Sequence, residues 1–335
     1  MKDEGGRMKV WLFKLSSSSF ILPPSSLQFS LSSLTLVSIV SASENFTPLP
    51  EASEYRAETA VAGRASAPNP DNPPWGLVNA SLIWLGSIFL LLFVPILFAL
   101  PYLIRLHRTG ALSNAALMED KTFIFLNILG IIPAHILTLV LVWVVATQFG
   151  KYPFWQTLGW GWSRNFGFLK SFGLTILMMI IGIIILKFFG GQETPMDKLV
   201  NSSTYARLAT AFLAATTGPL VEELVYRGIL YSALQRITGM VWGVIIVSFL
   251  FALVHVSQYH NNLGVIAVIS ILSVVLTLSR ALTGKILPSF TIHTIFNGIQ
   301  SLYLVFQPYI EKHDAGSEQK AAALLQLARF VKHFV

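Results

Sequence analysis

Residues 218–228 read GPLVEELVYRG, and the reading of this stretch decides the fold. It sets Glu222, Glu223 and Arg227 inside a run of apolar side chains, and between Asp197 and Glu311 these two glutamates are the only acidic residues. Ionisable groups at the centre of a spanning helix cost roughly 2.5 to 3.5 kcal/mol each even on lenient insertion scales. Something must compensate them, and the default reading of an intramembrane acid is a functional site.

Working outward, the chain of 335 residues is 54% hydrophobic and 12% charged, and it holds apolar runs too long for a soluble core. The fold class is all-α, a polytopic transmembrane helix bundle. A formal net charge of +7 is spread through loops and tails without a basic block. Loops retained near an anionic leaflet account for it, so membrane lipid is an expected partner and nucleic acid is not. Cysteine is absent, which removes disulfides, thiolate metal sites and a cysteine nucleophile together.

Hydropathy predicts about seven spans, each near the length a bilayer requires. They fall at 80–104, 122–149, 172–186, a fourth beginning at Ala206, 240–254, 263–279 and 286–306. Before them, 1–42 is basic and then Ser- and Leu-rich, and reads as a signal peptide or N-terminal anchor. Residues 43–76 are rich in Glu, Ala, Pro and Asn and read as a disordered linker. The remainder divides into N-terminal transmembrane helices (77–204), a transmembrane core that holds both glutamates (205–310) and an amphipathic tail (311–335) expected to lie on the membrane surface. The loop KYPFWQTLGWGWSR, 151–164, has the Trp and Tyr density of a headgroup-level belt, and 190–204 reads as a loop. His135, alone among aliphatics, reads as a packed side chain held by a backbone carbonyl rather than a ligand.

Pro219 lies in the fourth span, where it removes a backbone donor. A kink or a new helix start is expected there, capped by Thr216 or Thr217, with both glutamates in the first turn at the positive end of the dipole. Glu223 and Arg227 are four apart with the acid N-terminal, the favourable order for an ion pair within one helix. Glu222 is left over, about 100° around the helix, a carboxylate without a cation that is placed to take a proton from water. His255 follows Phe251 by one turn, and His293 and Asn297 share a face. His255 fits a partner for Glu222 or its water, and His293 and Asn297 are donors suited to an oxyanion on a scissile carbonyl. Glu222, His255 and His293 also form a His₂Glu set of the kind that binds zinc, although no HExxH helix is present.

Taken in order, Glu222-Glu223-x-x-x-Arg227, Phe251-x-x-x-His255 and His293-x-x-x-Asn297 resemble the three motifs of the CPBP family of intramembrane proteases, which includes type II CAAX prenyl endopeptidases and bacteriocin-processing and immunity relatives. The resemblance spans about 206–306 and includes RALTGKILP at 280–288. It implies an all-helical membrane core that hydrolyses a peptide bond of a membrane-anchored or lipid-modified protein or peptide, prenylated ones among them. By position it makes Glu222 and His255 the water-activating pair, His293 and Asn297 the oxyanion side, and Glu223, Arg227 and Phe251 supporting residues. Members are described both as metalloproteases and as glutamate proteases without a required metal, so zinc stays open. A multi-pass protein of a bacterial-type cell membrane is expected.

Two rival readings remain: a catalytically silent membrane scaffold or immunity protein, and a proton-coupled transporter. In a plain up-and-down bundle, moreover, Glu222 and His293 would lie near opposite faces at about 1.5 Å per residue. Their convergence requires a helix that begins inside the bilayer at Pro288, strong tilts, or a cavity near mid-depth.

Overall fold

A computed structural model of the chain describes residues 66–110, 117 and 119–314, with side-chain surroundings to 310. The expected signal segment at 1–42, the linker as far as 65 and the tail from 315 lie outside the described residues. The described part is helical, without a strand: α1 (Leu77–Arg108), α2 (Lys121–Thr147), α3 (Phe154–Thr157), α4 (Phe168–Phe189), α5 (Pro195–Asn201), α6 (Thr204–Ala215), α7 (Thr217–Glu222), a π-helical segment (Glu223–Leu230), α8 (Tyr231–Tyr259), α9 (Leu263–Thr283) and α10 (Leu287–Asp314).

Among the described residues, five helical runs are long and apolar enough to cross a membrane. One of them, Thr204–Tyr259, is 56 residues long and contains both the fourth and the fifth expected spans. Gly239 separates these at φ 79°, a left-handed conformation that breaks the helix and that glycine adopts without a Cβ penalty. The seventh expected span falls in α10, which is not among the five runs. Its interior face carries Ser289, His293, Gln300 and Ser301, all buried, and these polar residues dilute its hydropathy. Large apolar side chains cover the outward faces instead, among them Leu82 and Leu97 of α1, Ile184 of α4 and Phe249 of α8. That inside-out pattern, over helices of this length, defines an integral multi-pass membrane protein.

Helix ends follow local chemistry. Asp120 caps α2 by accepting from the Phe123 N–H at 2.8 Å, and Asn262 caps α9 by accepting from Val265 at 3.1 Å. The expected loop at 190–204 contains α5, which the capping box of Thr194 and Asp197 starts together with Pro195. Gly130 lets α1 and α2 touch: a Cβ there would sit 2.5 Å from the Pro95 Cα.

The linker expected over 43–76 does not persist through its described end. Residues 70–75 form a strap docked on the helices. Trp75 is fully buried and its indole N–H donates to the Ile229 carbonyl at 3.1 Å. Arg280, also fully buried, donates to Asp71 at 2.7 Å and to the Pro70 carbonyl at 3.1 Å, and Arg236 donates to the Pro73 carbonyl at 3.1 Å. Composition alone hides this, because the partners lie far away in sequence.

The depth problem resolves through the register of α10. Its start at Ile286 lies against Gly228, where a Cβ would come within 3.3 Å of the Ile286 Cδ1. Further along, His293 meets Glu223 and Asn297 meets Ala214. The helix therefore runs antiparallel to the column from α6 to α8 and begins part-way along it, roughly 15 Å short of the Gly239 break. The aromatic loop anchors this start: Gly159 accepts from the Ile286 N–H at 3.0 Å, and the Trp160 and Phe290 rings lie 5.1 Å apart.

Candidate active site

The central column changes hand-over-hand geometry twice within a few residues. α6 ends at Thr216, whose φ of −126° and ψ of −85° leave the helical region, and α7 restarts at Thr217. Pro219 fits the third position of the new helix, where the missing N–H would have had no partner. The break is where the sequence places it, but neither threonine caps it with its side chain. The Thr216 hydroxyl donates back to the Phe212 carbonyl at 2.6 Å, and the Thr217 hydroxyl meets His135 Nδ1 at 2.9 Å. Because the helix begins two residues before the proline, Glu222 is the last residue of α7 and Glu223 opens the π-helical segment. Neither sits in the first turn, so the helix dipole gives them less than expected. π-helical turns inserted in α-helices are frequent at functional sites.

Glu223 and Arg227 are both fully buried and pair at 3.0 Å. Arg227 also donates to the Ser273 carbonyl at 3.2 Å, the Ser273 hydroxyl at 2.9 Å and the Thr277 hydroxyl at 3.3 Å, and its guanidinium lies 4.6 Å from the Phe251 ring centroid. One arginine thus ties the π-helical segment to α9 and, through Phe251, to α8. The same Glu223 oxygen accepts from His293 Nδ1 at 2.9 Å.

His293 therefore stands between two carboxylates. Its Nδ1 hydrogen is committed to Glu223, and its Nε2 lies 3.6 Å from Glu222 Oε2. The side chain of Glu222 is 32% exposed, against none for Glu223, and it faces a cavity of about 410 Å³. Phe251, His255, His293 and Asn297 line the same cavity. His255 Nδ1 is held by the Phe251 carbonyl one turn back at 2.7 Å, and the two rings lie 4.7 Å apart. Among the described residues Glu222 pairs with His293 rather than with His255. Asn297 donates one amide hydrogen to the Ala214 carbonyl at 3.2 Å and keeps the other, which fixes its amide at the cavity wall.

All seven residues singled out in the sequence are thus in one neighbourhood: four with Phe251 on the cavity wall, and Glu223 with Arg227 immediately behind. Three cavity or support residues escape the motif reading. Ser273 and Thr277, the partners of Arg227, are polar residues four apart on one face of an apolar helix, and that spacing is the signal that could have found them. His135 lines the cavity from α2, and its Nδ1 partner is a hydroxyl, not the backbone carbonyl expected. The general rule that an intramembrane histidine is functional by default would have flagged it.

Zinc is the metal the donor set implies. Both motif histidines have Nδ1 tied to an acceptor, an orientation common to metal-bound imidazoles. Yet among the described residues no three His, Asp or Glu side chains converge closely enough to hold one ion. The arrangement does not fit a preformed zinc site.

The fold and this wall of side chains define a multi-pass helical membrane protein with an ionisable cavity. Residues 204–299 match the family described as type II CAAX prenyl endopeptidase Rce1-like. The chain is also 26% identical over 149 residues to the membrane-embedded CAAX protease MroQ of Staphylococcus aureus (strain USA300), covering 42% of this chain and 58% of that protein. It thus spans little more than half the length of this curated relative. No solved structure matches the chain significantly. The two findings support the CPBP family for this protein, as its three motifs imply.

Proposed function

We propose that the protein is an intramembrane endopeptidase in which Glu222 activates water. The observation that carries this reading is the division of labour between adjacent glutamates. Glu223 is sealed and shared between Arg227 and His293, whereas Glu222 is open to the cavity beside the free edge of a fixed imidazole. A fixed, neutral His293 with its hydrogen on Nδ1 presents a lone pair at Nε2. Glu222 takes the proton from a cavity water as the oxygen attacks the scissile carbonyl, and His293 Nε2 steadies the protonated carboxyl by accepting from it. The tetrahedral oxyanion draws on the free Asn297 N–H. Glu222 then returns the proton to the departing amine as the C–N bond breaks, and the second water hydrogen stays on the new acid, leaving a carboxylic acid and an amine. This departs from the simplest motif reading: with its Nδ1 hydrogen committed, His293 acts on the base side unless it carries charge. His255, which lines the same cavity and has its Nδ1 held by Phe251, accepts from the same water through Nε2.

The substrate class proposed is a peptide segment of a membrane-anchored or lipid-modified protein. The cavity continues into apolar walls from Leu91, Ile128, Ile131, Leu199 and Leu213, which suit a hydrocarbon-rich segment. A prenylated terminus is consistent with the description of the matched family. The test is purified protein against a library of membrane peptides, with and without chelator, comparing wild type with Glu222→Gln. Cleavage by the wild type alone supports the reading; equal cleavage by both removes Glu222 from it; no cleavage by either favours a silent scaffold.

A further inference from the structure

The cavity holds three histidines, and the partners of their Nδ1 atoms differ in kind. His255 faces a backbone carbonyl and His293 faces a carboxylate. Both partners are acceptors, so each ring must keep its hydrogen on Nδ1 and, when neutral, present a bare Nε2. His135 faces the Thr217 hydroxyl at 2.9 Å, and a hydroxyl can donate. His135 alone among the three can carry its hydrogen on Nε2 without carrying charge. A cavity built for a peptide needs such a donor, because Glu222, His255 and His293 all offer lone pairs and Asn297 spends one of its two hydrogens on Ala214.

A second, independent observation marks this side of the cavity as a place for a ligand. Thr210 of α6 lines the same cavity and is buried, 6% exposed, yet its hydroxyl has no hydrogen-bond partner. Buried hydroxyls are ordinarily satisfied. His135 and Thr210 also flank the motif residues: α2 lies outside the matched family segment of 204–299, so nothing in the motifs demands a polar residue there.

We propose that His135 presents a neutral Nε2–H to a backbone carbonyl of the bound peptide, with its tautomer set by the hydroxyl of Thr217. Thr210 supplies the neighbouring hydroxyl for the same extended chain. This rests on the endopeptidase reading and adds to it a recognition element from the N-terminal helices. An extended peptide in an apolar cavity must have its carbonyls satisfied, and His135 does this beside the base rather than at the oxyanion.

The first test does not depend on activity. In the full-length protein with ¹⁵N-labelled histidine in detergent micelles, the His135 ring signals, assigned with His135→Gln, are expected to show the neutral Nε2–H tautomer, opposite to that of His255. A His135 protonated on Nδ1 overturns the inference. The second test uses a fluorogenic membrane-peptide library cleaved by wild type and not by Glu222→Gln. His135→Phe keeps a ring but no donor and is expected to lower kcat/KM about 10- to 100-fold, the loss of one buried hydrogen bond. His135→Gln, which retains an N–H, is expected to recover most of it, while both variants share one unfolding midpoint. Equal losses in the two variants make His135 a packing residue and refute the donor role. Wild-type rates in His135→Phe refute it as well, with the hydrolase reading intact. A wild type that cleaves nothing removes the hydrolase reading and this inference with it.

Discussion

Replacing Arg227 by methionine strands a charge. Glu223 and Arg227 are both 0% exposed, and the guanidinium makes four hydrogen bonds, one to Glu223 and three to Ser273 and Thr277. Charge-assisted bonds of this type contribute about 1.5 to 3 kcal/mol each before desolvation, so their sum overshoots, since most of it offsets the cost of burying the ion. The lasting term is Glu223, left fully buried without its cation. Removing one partner of a buried pair typically costs about 3 to 5 kcal/mol. The double variant Glu223→Gln with Arg227→Met removes the stranded charge as well. It is expected to be more stable than Arg227→Met alone, with a coupling energy of about 1 to 3 kcal/mol. Chemical unfolding of the four proteins in detergent, followed by tryptophan fluorescence, measures both numbers. A single-variant cost below about 1 kcal/mol, or losses additive to within about 0.5 kcal/mol, would refute the claim that this pair is a closed, mutually dependent unit.

Other outcomes follow from particular contacts. Gly130→Ala places a Cβ 2.5 Å from the Pro95 backbone and is expected to cost about 1 to 3 kcal/mol by overpacking, read as a lowered unfolding midpoint. Gly228→Val pushes on Leu158 and Ile286, which stand 3.2 and 3.3 Å from an ideal Cβ; because Ile286 sets the start of α10, hydrolysis should fall more than stability does. Asp71→Ala frees the strap from Arg280, and limited proteolysis should cut near residue 70 faster than in the wild type, with an unchanged cut pattern counting against the docked strap. Trp75→Ala should cost about 3 to 5 kcal/mol, since it empties a fully buried site and removes the indole hydrogen bond to the Ile229 carbonyl.

What could be read from the sequence was whatever depends on local spacing. The apolar runs, the break near Pro219 and the Glu223–Arg227 pair all follow from residues a few positions apart, and the structure contains each of them. The partners of the pair did not follow, because Ser273 and Thr277 reach Arg227 only when α9 packs on the π-helical segment. Nor did the assignment of His293, whose two nitrogens address two different glutamates 70 residues away in sequence. A π-turn is set by tertiary packing and leaves no sequence period, so the angle between Glu222 and Glu223 could not be carried from a regular helix. The strap shows the same limit in reverse. Pro70 to Trp75 has the composition of a linker, and residues distant in sequence, among them Gln148, Gln235, Arg236, Arg280 and Ile229, give it a fixed place.

The central claim is that the open glutamate, and not its sealed neighbour, takes the proton from water. Single-turnover cleavage of one membrane peptide in proteoliposomes, compared between wild type and Glu222→Gln at matched unfolding midpoints, tests it most directly. The account predicts a rate at least about 100-fold lower in the variant, within the range for loss of a general base. A Glu222→Gln protein that cleaves within tenfold of the wild type would contradict it.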